Sequence, residues 1–393
     1  MTRTADIVVI GGGANGTSTA FHLALLGARN VVLLERRQLA AGATGKSGAL
    51  VRMHYTNEPE SRLAHASLGV FRNFGEIVGG DCGFEGVGFV QLVGHAHAAA
   101  LRRNVERQQR LGIDTRVVTA AEVREILPGC ETADVGAAAW EADSGFADPA
   151  ATAFAFAEAA RHRGATIETG VEVLRVLTTG SRVTGVETTA GRIESPVVVI
   201  VAGAWASALL APLGLDYGLA PHRIQVSIFH WPAGFTRRHP AVIDAIHKAW
   251  WRPEGRASTL IGVELGVAHG DPDAFHEGVD ETYVAGCRAA LGARWPRFAD
   301  ATMRGGWAGM IMMSPDGRPI IGPLGPAGLW GMLGDSGTSF KTSPAIGRSL
   351  AESILTGTSA TADLHPFRAS RFAEGRPWQD ADHYGRERLT ISR

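Results

Sequence analysis

The stretch Asp6-Ile-Val-Val-Ile-Gly-Gly-Gly-Ala-Asn-Gly16, followed by Thr17 to Leu26, decides the expected fold. An apolar run of strand length leads into Gly11-x-Gly13-x-x-Gly16 and then into a segment with helical patterning, which predicts a strand, a tight turn and a helix. The first glycine permits the turn, the second lets the backbone approach a pyrophosphate, and the third lets helix and strand pack closely. The helix N-terminus presents unpaired amides to the phosphates.

A second predicted strand, Asn30-Val-Val-Leu-Leu-Glu35, ends in an acid that lies about 20 residues beyond the glycines, as in dinucleotide-binding folds. A carboxylate at this position can accept hydrogen bonds from the hydroxyls of an adenosine ribose. The motif therefore indicates a nucleotide cofactor, and NAD and FAD both remain open at this point.

Two later segments favour FAD. The apolar strand within Arg192 to Trp205 stops at Ala202-Gly203 and could return to the nucleotide sheet. Near the C-terminus, a predicted strand, Leu329 to Leu333, leads through the glycine-rich loop Gly334 to Pro344 into a helix from about Ala345 to Leu355. The positive end of that helix would stabilise an anionic reduced flavin ring, whereas a nicotinamide would gain nothing comparable.

Length, charge and cysteine content narrow the class of protein. The 393 residues suggest two domains. Because 38 Lys and Arg nearly cancel 39 Asp and Glu, no long-range field favours nucleic acid or an anionic membrane. No apolar run approaches the length of a membrane span, and no secretion signal is evident, so we expect a cytoplasmic protein. The cysteines Cys82, Cys130 and Cys287 lack paired spacing, so neither a disulfide framework nor a metal site is expected.

Four segments together resemble the D-amino-acid oxidase-like family of FAD-dependent oxidoreductases, and within it the sarcosine oxidase and sarcosine oxidase β-subunit branch. They are Gly11 to Glu35, Gly42 to Tyr55, Leu219 to Val226 and Gly334 to Arg348. The resemblance implies a discontinuous, Rossmann-like α/β domain that binds FAD, with an inserted, mostly antiparallel β-sheet domain that binds the substrate. Strand patterning agrees, because Val171 to Val176 and Val183 to Thr188 are predicted to pair, and Gln225 to Trp231 and Thr259 to Leu265 are predicted strands outside the nucleotide half.

The domain boundaries follow from that architecture. We expect 1–82, 146–215 and 316–366 in the FAD-binding domain, 83–145 and 216–315 in the substrate-binding domain, and 367–393 as a C-terminal extension. The extension is polar, and both a loose surface segment and a docking arm remain open.

The glycine motifs and the resemblance together predict the residues that bind FAD. They are Gly11, Gly13, Asn15, Gly16, Glu35, Arg36, Thr44, Lys46, Ser47, Gly48, Val173, Ala202, Gly203, Trp205, Gly334, Gly337, Thr338, Ser339, Phe340 and Lys341. For Lys46 and Ser47, simple solvent exposure is the alternative. Monomeric sarcosine oxidases attach FAD through a cysteine where Ala308 stands here, and dimethylglycine dehydrogenases use a histidine that Ala43 to Gly48 lacks. We therefore expect non-covalent FAD.

Arg52 and Lys341 match the family residues that hold the substrate carboxylate, and a buried carboxylate needs such cations to offset its desolvation. A structural salt bridge is the alternative for each. Glu264 stands where relatives carry a histidine, and a desolvated carboxylate there could pair with the amine or help to deprotonate it. A slip of one residue in that strand would turn Glu264 outward. Tyr55, Trp250 and Trp251 are predicted in the substrate pocket, with core packing as the alternative for the tryptophans.

The resemblance implies oxidation of the carbon next to the nitrogen of a small N-methylated or cyclic secondary amino acid, with hydride transfer to the flavin and hydrolysis of the imine. Oxidative deamination of a primary amino acid is the alternative, and so is a flavin subunit that passes electrons to a partner within a hetero-oligomer. Leu260 replaces a lysine that activates oxygen in relatives, which favours an electron acceptor other than O2.

Overall fold

A computed structural model describes residues 3–236 and 238–384. These residues form strands that are numbered here in chain order: β1 (Arg3–Thr4), β2 (Ile7–Ile10), β3 (Val31–Glu35), β4 (Leu50–Val51), β5 (Phe89–Gly94), β6 (Arg116–Val118), β7 (Val135–Glu141), β8 (Gly145–Phe146), β9 (Thr166–Thr169), β10 (Val173–Thr179), β11 (Arg182–Thr188), β12 (Gly191–Glu194), β13 (Val197–Ile200), β14 (Ala220–His230), β15 (Ala241–Asp244), β16 (Ala249–Glu254), β17 (Ser258–Val263), β18 (Ala268–His269), β19 (Met303–Met313), β20 (Ile320–Pro323) and β21 (Leu329–Leu333). The α-helices are α1 (Ala14–Leu25), α2 (Glu58–Arg72), α3 (Phe74–Ile77), α4 (Ala98–Arg110), α5 (Ala120–Ile126), α6 (Pro149–His162), α7 (Ala206–Leu210), α8 (Glu281–Arg294) and α9 (Ser343–Thr356).

A six-stranded sheet with the order β20-β21-β13-β2-β3-β9 carries the glycine-rich turn. Its strands are parallel except for the β20–β21 pair. Strand β13 lies between β2 and β21, so the predicted return of Val197 to Val201 to the nucleotide sheet is confirmed. The all-apolar runs of β2, β3 and β13 are buried because α1, α6 and α9 pack over the sheet.

A nine-stranded sheet draws its strands from residues 89–141 and 220–313. Its order is β18-β14-β17-β16-β15-β5-β7-β6, and β19 pairs with β14. Every pairing in it is antiparallel except that of β15 with β5. The strands predicted at Gln225 to Trp231 and Thr259 to Leu265 are β14 and β17, which pair with each other. The predicted fold class, a Rossmann-like α/β part with an inserted and mostly antiparallel sheet, is confirmed.

The hairpin of β10 and β11 belongs to a smaller sheet with the order β1-β12-β11-β10. This confirms the predicted pairing of Val171 to Val176 with Val183 to Thr188. The hairpin follows β9 in the chain, and Val173 from it borders the larger cavity described below.

Buried contacts anchor the segment 367–384 to the rest of the chain at several residues. The Arg371 guanidinium forms a buried ion pair with Asp316 at 2.8 Å, and Tyr384 shares a hydrogen bond of 2.6 Å with the ring of His54. These contacts tie residues 367–384 to the rest of the chain, and the remainder of the predicted extension, 385–393, lies outside the described residues.

Across the two described ranges, no helix is both long enough and apolar enough to cross a membrane. Cys82, Cys130 and Cys287 are buried free thiols.

Candidate active site

The turn after β2 is built so tightly that three of its positions require glycine. A Cβ atom on Gly11, whose φ is 115°, would stand 2.4 Å from the carbonyl oxygen of Val201. On Gly16 it would stand 2.0 Å from the carbonyl oxygen of Gly11, so this glycine allows α1 to pack against β2. On Gly13 it would stand 2.9 Å from the Thr44 hydroxyl. The three glycines thus let strand, helix and the Thr44 loop approach one another.

A cavity of about 300 Å³, here called the large cavity, opens at the carboxyl ends of β2, β3 and β13. Its border contains the following predicted cofactor residues: Gly11, Gly13, Asn15, Glu35, Arg36, Thr44, Val173, Ala202, Gly203, Trp205 and Gly334. The sequence did not indicate Asp273, Met310, Met312 or Met332, which also border it. Open parallel sheets bind ligands at this edge, where the loops diverge.

Two observations test whether this cavity fits a dinucleotide. The side-chain oxygen of Asn15 is buried and has no hydrogen-bond partner within the described ranges. The carboxylate of Glu35 accepts hydrogen bonds of 2.8 Å from the amides of Gly12 and Arg37, which fix it at the end of β3. The Asn15 oxygen and the fixed Glu35 carboxylate are hydrogen-bond acceptors at the edge of the cavity. They can accept hydrogen bonds from the hydroxyl and amide groups of a dinucleotide.

A second cavity of about 120 Å³, here called the small cavity, lies between the glycine-rich turn and the nine-stranded sheet. It is bordered by the predicted residues Lys46, Ser47, Gly48, Arg52, Trp250, Glu264, Gly337, Phe340 and Lys341. The two cavities share the border residues Ala14, Asn15, Ala43, Thr44 and Asp335. A ligand in the large cavity can therefore reach the place where a second ligand would sit.

Arg52 and Lys341 meet at the small cavity although they are far apart in the sequence. Both are buried, with 2% and 7% of their surface exposed. The aromatic ring of Tyr55 lies 4.6 Å from the Arg52 guanidinium carbon and 5.2 Å from the Lys341 nitrogen. The Tyr55 hydroxyl and the Lys341 ammonium both donate to the carbonyl oxygen of Thr338, at 2.8 and 2.9 Å. The two cations are thereby fixed on one side of the cavity.

Burial and the neighbouring Arg52 charge lower the pKa of Lys341 well below its ordinary value. An anion bound between the two cations would reverse this effect, because it would stabilise the protonated ammonium. The small cavity thus has the electrostatics of a site for a carboxylate.

Glu141 is a buried neighbour of Arg52 that the sequence did not reveal. This carboxylate at the end of β7 accepts hydrogen bonds from the Met53 amide at 2.9 Å and the Ser144 hydroxyl at 2.6 Å. Burial raises its pKa, while the Arg52 charge acts in the opposite direction. Glu141 holds the backbone next to Arg52. No local pattern distinguishes it from other acids at strand ends.

Trp250 and Trp251 lie on opposite faces of β16. Trp250 borders the small cavity and fits between two glycines, because a Cβ atom would stand 2.0 Å from its ring on Gly48 and 2.5 Å on Gly262. Trp251 is fully buried in the core of the other face, with its ring 5.7 Å from that of Trp295. Trp251 borders neither cavity, which corrects its predicted place in the substrate pocket: strand alternation directs only one of two consecutive residues to each face.

Several other residues predicted at the site lie behind the cavity walls and contact the residues that form them. Gly16 lies inside α1, and Tyr55 lies beneath the two cations. The hydroxyls of Thr338 and Ser339 donate to the carbonyl oxygen of Asp335, at 3.1 and 3.4 Å. These contacts fix the shape of the loop 334–340.

Glu264 follows β17 directly and borders the small cavity as a half-buried residue. Its amide donates to the Lys248 carbonyl at 3.0 Å. Leu260 and Ala308 are fully buried within strands β17 and β19.

A segment of the inserted part, residues 271–277, crosses to the glycine-rich half and is here called the strap. Asp273 in the strap forms an ion pair with Arg36 and accepts a hydrogen bond of 3.0 Å from the Trp205 indole. Glu277 forms an ion pair with Lys46 at 3.1 Å. The strap therefore joins the two halves beside the large cavity.

Within residues 3–236 and 238–384, no group of three or more His, Cys, Asp or Glu side chains is placed to hold a metal ion. The buried thiols of Cys82, Cys130 and Cys287 border neither cavity.

Comparison with known proteins assigns the family. Residues 6–353 match the family described as "DAO: FAD dependent oxidoreductase". Sarcosine oxidase subunit beta from Arthrobacter sp is 29% identical over 388 residues, which cover 95% of this chain and 92% of that protein. Human mitochondrial sarcosine dehydrogenase is 28% identical over 389 residues, which cover 94% of this chain and 41% of that protein. The crystal structure of L-proline dehydrogenase from P. horikoshii superposes with a TM-score of 0.88 at 26% identity, covering 96% of this chain and all of that one. The chain, with its glycine-rich turn and two adjoining cavities, belongs to the DAO family of FAD-dependent oxidoreductases.

Proposed function

We propose that this oxidoreductase oxidises the C–N bond of a small N-methylated or cyclic secondary amino acid, with FAD bound non-covalently in the large cavity. The observation that carries the proposal is the meeting of Arg52 and Lys341 on one side of the small cavity, which adjoins the large one. Two buried cations that converge on one cavity match the two oxygens of a substrate carboxylate.

The same residues give the substrate its orientation. A carboxylate held by Arg52 and Lys341 fixes the rest of a small amino acid against Trp250 and the apolar side chains of Ile224 and Val263. FAD, when bound, supplies the acceptor for a hydride from the carbon next to the amine nitrogen. Positioning of that carbon accounts for much of the expected rate, since no nucleophile is needed.

Glu264 is the proposed partner of the substrate amine. It borders the small cavity together with both cations, so an amino acid bound by its carboxylate places its nitrogen within the same enclosure. A carboxylate can hold the cationic amine or take its proton before the carbon is oxidised.

Two observations support non-covalent attachment of FAD. Ala308, which stands where some relatives carry the linking cysteine, is buried in β19 opposite Gln225, and none of the three cysteines borders either cavity. Precipitation of the protein with acid is expected to leave the yellow colour in solution. Colour that stays with the precipitate would contradict this part of the proposal.

The substrate class also draws on the relatives, since sarcosine is an N-methyl amino acid and proline a cyclic one. Deamination of a primary amino acid is the alternative, and it would require only a substrate pocket of a different shape. The proposed domains are 1–82, 146–215 and 316–366 for FAD and 83–145 and 216–315 for the substrate, with 367–393 as an extension.

A second candidate function is that of a flavin subunit that passes electrons to a partner. It is favoured by the similarity, over most of its length, to a protein named as a subunit of sarcosine oxidase. The apolar Leu260, buried in β17, is consistent with an acceptor other than O2.

The test is anaerobic mixing of the yellow protein with sarcosine, other N-methyl amino acids, proline, glycine and D-amino acids, while flavin absorbance is followed at about 450 nm. Bleaching by a secondary amino acid, lost in Arg52→Ala and Lys341→Ala but kept in the surface variant Arg62→Ala, is the expected result. Bleaching by primary amino acids alone would favour the alternative. Admission of air then measures the rate of reoxidation, which separates an oxidase from a partner-dependent dehydrogenase.

A further inference from the structure

Asp335 occupies a distinctive position at the boundary of the two cavities. Of the residues that border both, which are Ala14, Asn15, Ala43, Thr44 and Asp335, only Asp335 has an ionisable side chain. If the large cavity holds FAD, as proposed above, the reactive ring must lie at this boundary to reach a substrate in the small cavity. The inference about Asp335 rests on that proposed function.

The local structure holds Asp335 at this boundary. Asp335 follows β21 and Gly334, whose φ is 59°, and its backbone carbonyl accepts a hydrogen bond of 3.0 Å from the Thr338 amide. The loop therefore turns sharply and is closed on itself before α9 begins. The amides of Met312, Gly337 and Ser336 face the carboxylate.

Charged side chains border both cavities that Asp335 joins: Lys46, Arg52, Glu264 and Lys341 border the small one, and Glu35, Arg36, Arg37, Glu172 and Asp273 border the large one. Of these, Lys341, from the same loop, acts on the Asp335 carboxylate and favours its charged form. Strands β19 and β21 contribute Met310, Met312 and Met332 to the neighbouring border, and α1 contributes Ala14 and Asn15, all of them uncharged. Burial raises the pKa of Asp335 to about 6 even though the facing amides and Lys341 oppose this shift.

We propose that Asp335 is a tuning residue that couples the reduction potential of bound FAD to pH. Hydride transfer delivers two electrons and one proton to the flavin and leaves the reduced ring with one negative charge. An ionised Asp335 beside that ring opposes the new charge, whereas a protonated Asp335 does not. Reduction therefore raises the proton affinity of Asp335, and its carboxylate takes up one proton from solvent.

The effect of pH on the reduction potential of FAD has a defined direction. At a pH below the pKa of Asp335 the side chain is neutral in both redox states and reduction is favoured. As pH rises through that pKa, the carboxylate becomes charged and reduction becomes harder. A shift of about one pKa unit on reduction corresponds to about a tenfold change in the ratio of reduced to oxidised flavin at a fixed potential.

The experiment measures the midpoint potential of the FAD-loaded protein between pH 5 and pH 9, by anaerobic equilibration with a reference dye and without any substrate. The variants are Asp335→Asn, Asp335→Ser as a second neutral replacement, and Asp216→Asn, an exposed carboxylate that borders neither cavity. We expect the wild type and Asp216→Asn to coincide throughout. The Asp335 variants should match them at pH 5 and show about tenfold more reduced flavin at pH 8 at the same applied potential.

Parallel curves for the wild type and both Asp335 variants would overturn the proposal about Asp335, while leaving the proposed amino-acid oxidation intact. Diverging curves in a protein that no amino acid reduces would support the role of Asp335 and contradict the proposed substrate. A protein that fails to bind FAD even when FAD is added would overturn both.

Discussion

The ammonium nitrogen of Lys341 lies 5.2 Å from the centre of the Tyr55 ring. Lys341 belongs to the glycine-rich C-terminal loop and Tyr55 to the segment after β4, so the fold brings these two segments together. The Arg52 guanidinium approaches the same ring at 4.6 Å. One aromatic ring thus supports both cations of the small cavity, and the face of an aromatic ring stabilises a nearby cation through its quadrupole.

Replacement of Tyr55 should therefore separate the role of the ring from that of its hydroxyl. Tyr55→Leu removes both cation–π contacts and is expected to weaken binding of a carboxylate such as acetate by about tenfold or more. Tyr55→Phe keeps the ring, loses the hydrogen bond to Thr338, and should change the dissociation constant by about threefold. Acetate titrations monitored by flavin absorbance measure both effects. Equal losses in the two variants would show that the ring has no special role.

Binding of a carboxylate should depend on pH through Lys341. Burial and Arg52 lower the pKa of this lysine, whereas a bound anion raises it, so binding takes up a proton. Affinity for acetate should be greatest below the pKa of Lys341 in the free protein and should fall as pH rises through it. The Lys341→Met variant, which lacks the titrating group, should bind acetate weakly and without this dependence. Calorimetry in two buffers of different ionisation enthalpy counts the protons, and a count of zero in the wild type would contradict the prediction.

The strap is expected to slow the loss of FAD. Asp273→Asn removes the ion pair with Arg36 but leaves a side chain able to accept from Trp205, and an exposed ion pair contributes about 0.2–1 kcal/mol. The rate of FAD release, followed by the recovery of its fluorescence after dilution, should rise by about twofold to fivefold. Because salt screens such a pair, the difference should shrink at high ionic strength. Glu58→Gln, which breaks the exposed pair with Arg62 on α2, is the matched control and should leave release unchanged.

The ion pair between Arg371 and Asp316 should contribute strongly to stability. Both side chains are buried, and Arg371→Met leaves the carboxylate uncompensated, which is expected to lower the free energy of unfolding by about 3–5 kcal/mol. Arg368, three residues before Arg371, forms a more exposed pair with Glu374, so Arg368→Met is the control and should cost about 1 kcal/mol or less. Urea unfolding measures both values.

The pH dependence of that stability has a defined direction. Burial opposes the charge of Asp316, yet the bonds from Arg371 and nearby amides hold its pKa below the ordinary value. The stabilisation is therefore complete above the unfolded-state pKa of an aspartate and is lost as pH falls through the lower folded-state pKa. The difference between wild type and Arg371→Met should shrink in acid, and a difference that grows there would refute this assignment.

Local patterns were sufficient for the sheet that carries the glycine-rich turn. The apolar runs of β2, β3 and β13 are buried on both faces, and such runs can be recognised without knowledge of their neighbours. The helix after the turn begins at Ala14 rather than Thr17, because the glycine motif itself supplies its first turn. Two consecutive tryptophans illustrate the limit: alternation places Trp250 and Trp251 on opposite faces but does not say which face borders a cavity.

The contacts between remote parts of the chain could not be predicted from the sequence. Glu141 reaches the backbone of Met53, and Asp273 reaches Arg36, through folding of the inserted sheet against the glycine-rich half. Neither acid differs locally from a surface residue. The same folding brings Arg52, Glu264 and Lys341 to one cavity from distant parts of the chain.

The hydrogen bond between His54 and Tyr384 also has a consequence for the order of biosynthesis. His54 is made early and Tyr384 late, so a nascent chain on the ribosome can form the glycine-rich turn long before the buried face of His54, two residues from Arg52, is covered. Strand β21, which completes the parallel part of the six-stranded sheet beside β13, is also a late product of translation. Because contacts between residues far apart in the sequence slow folding, the contacts that Tyr384 and β21 make with the amino-terminal half are expected to form last.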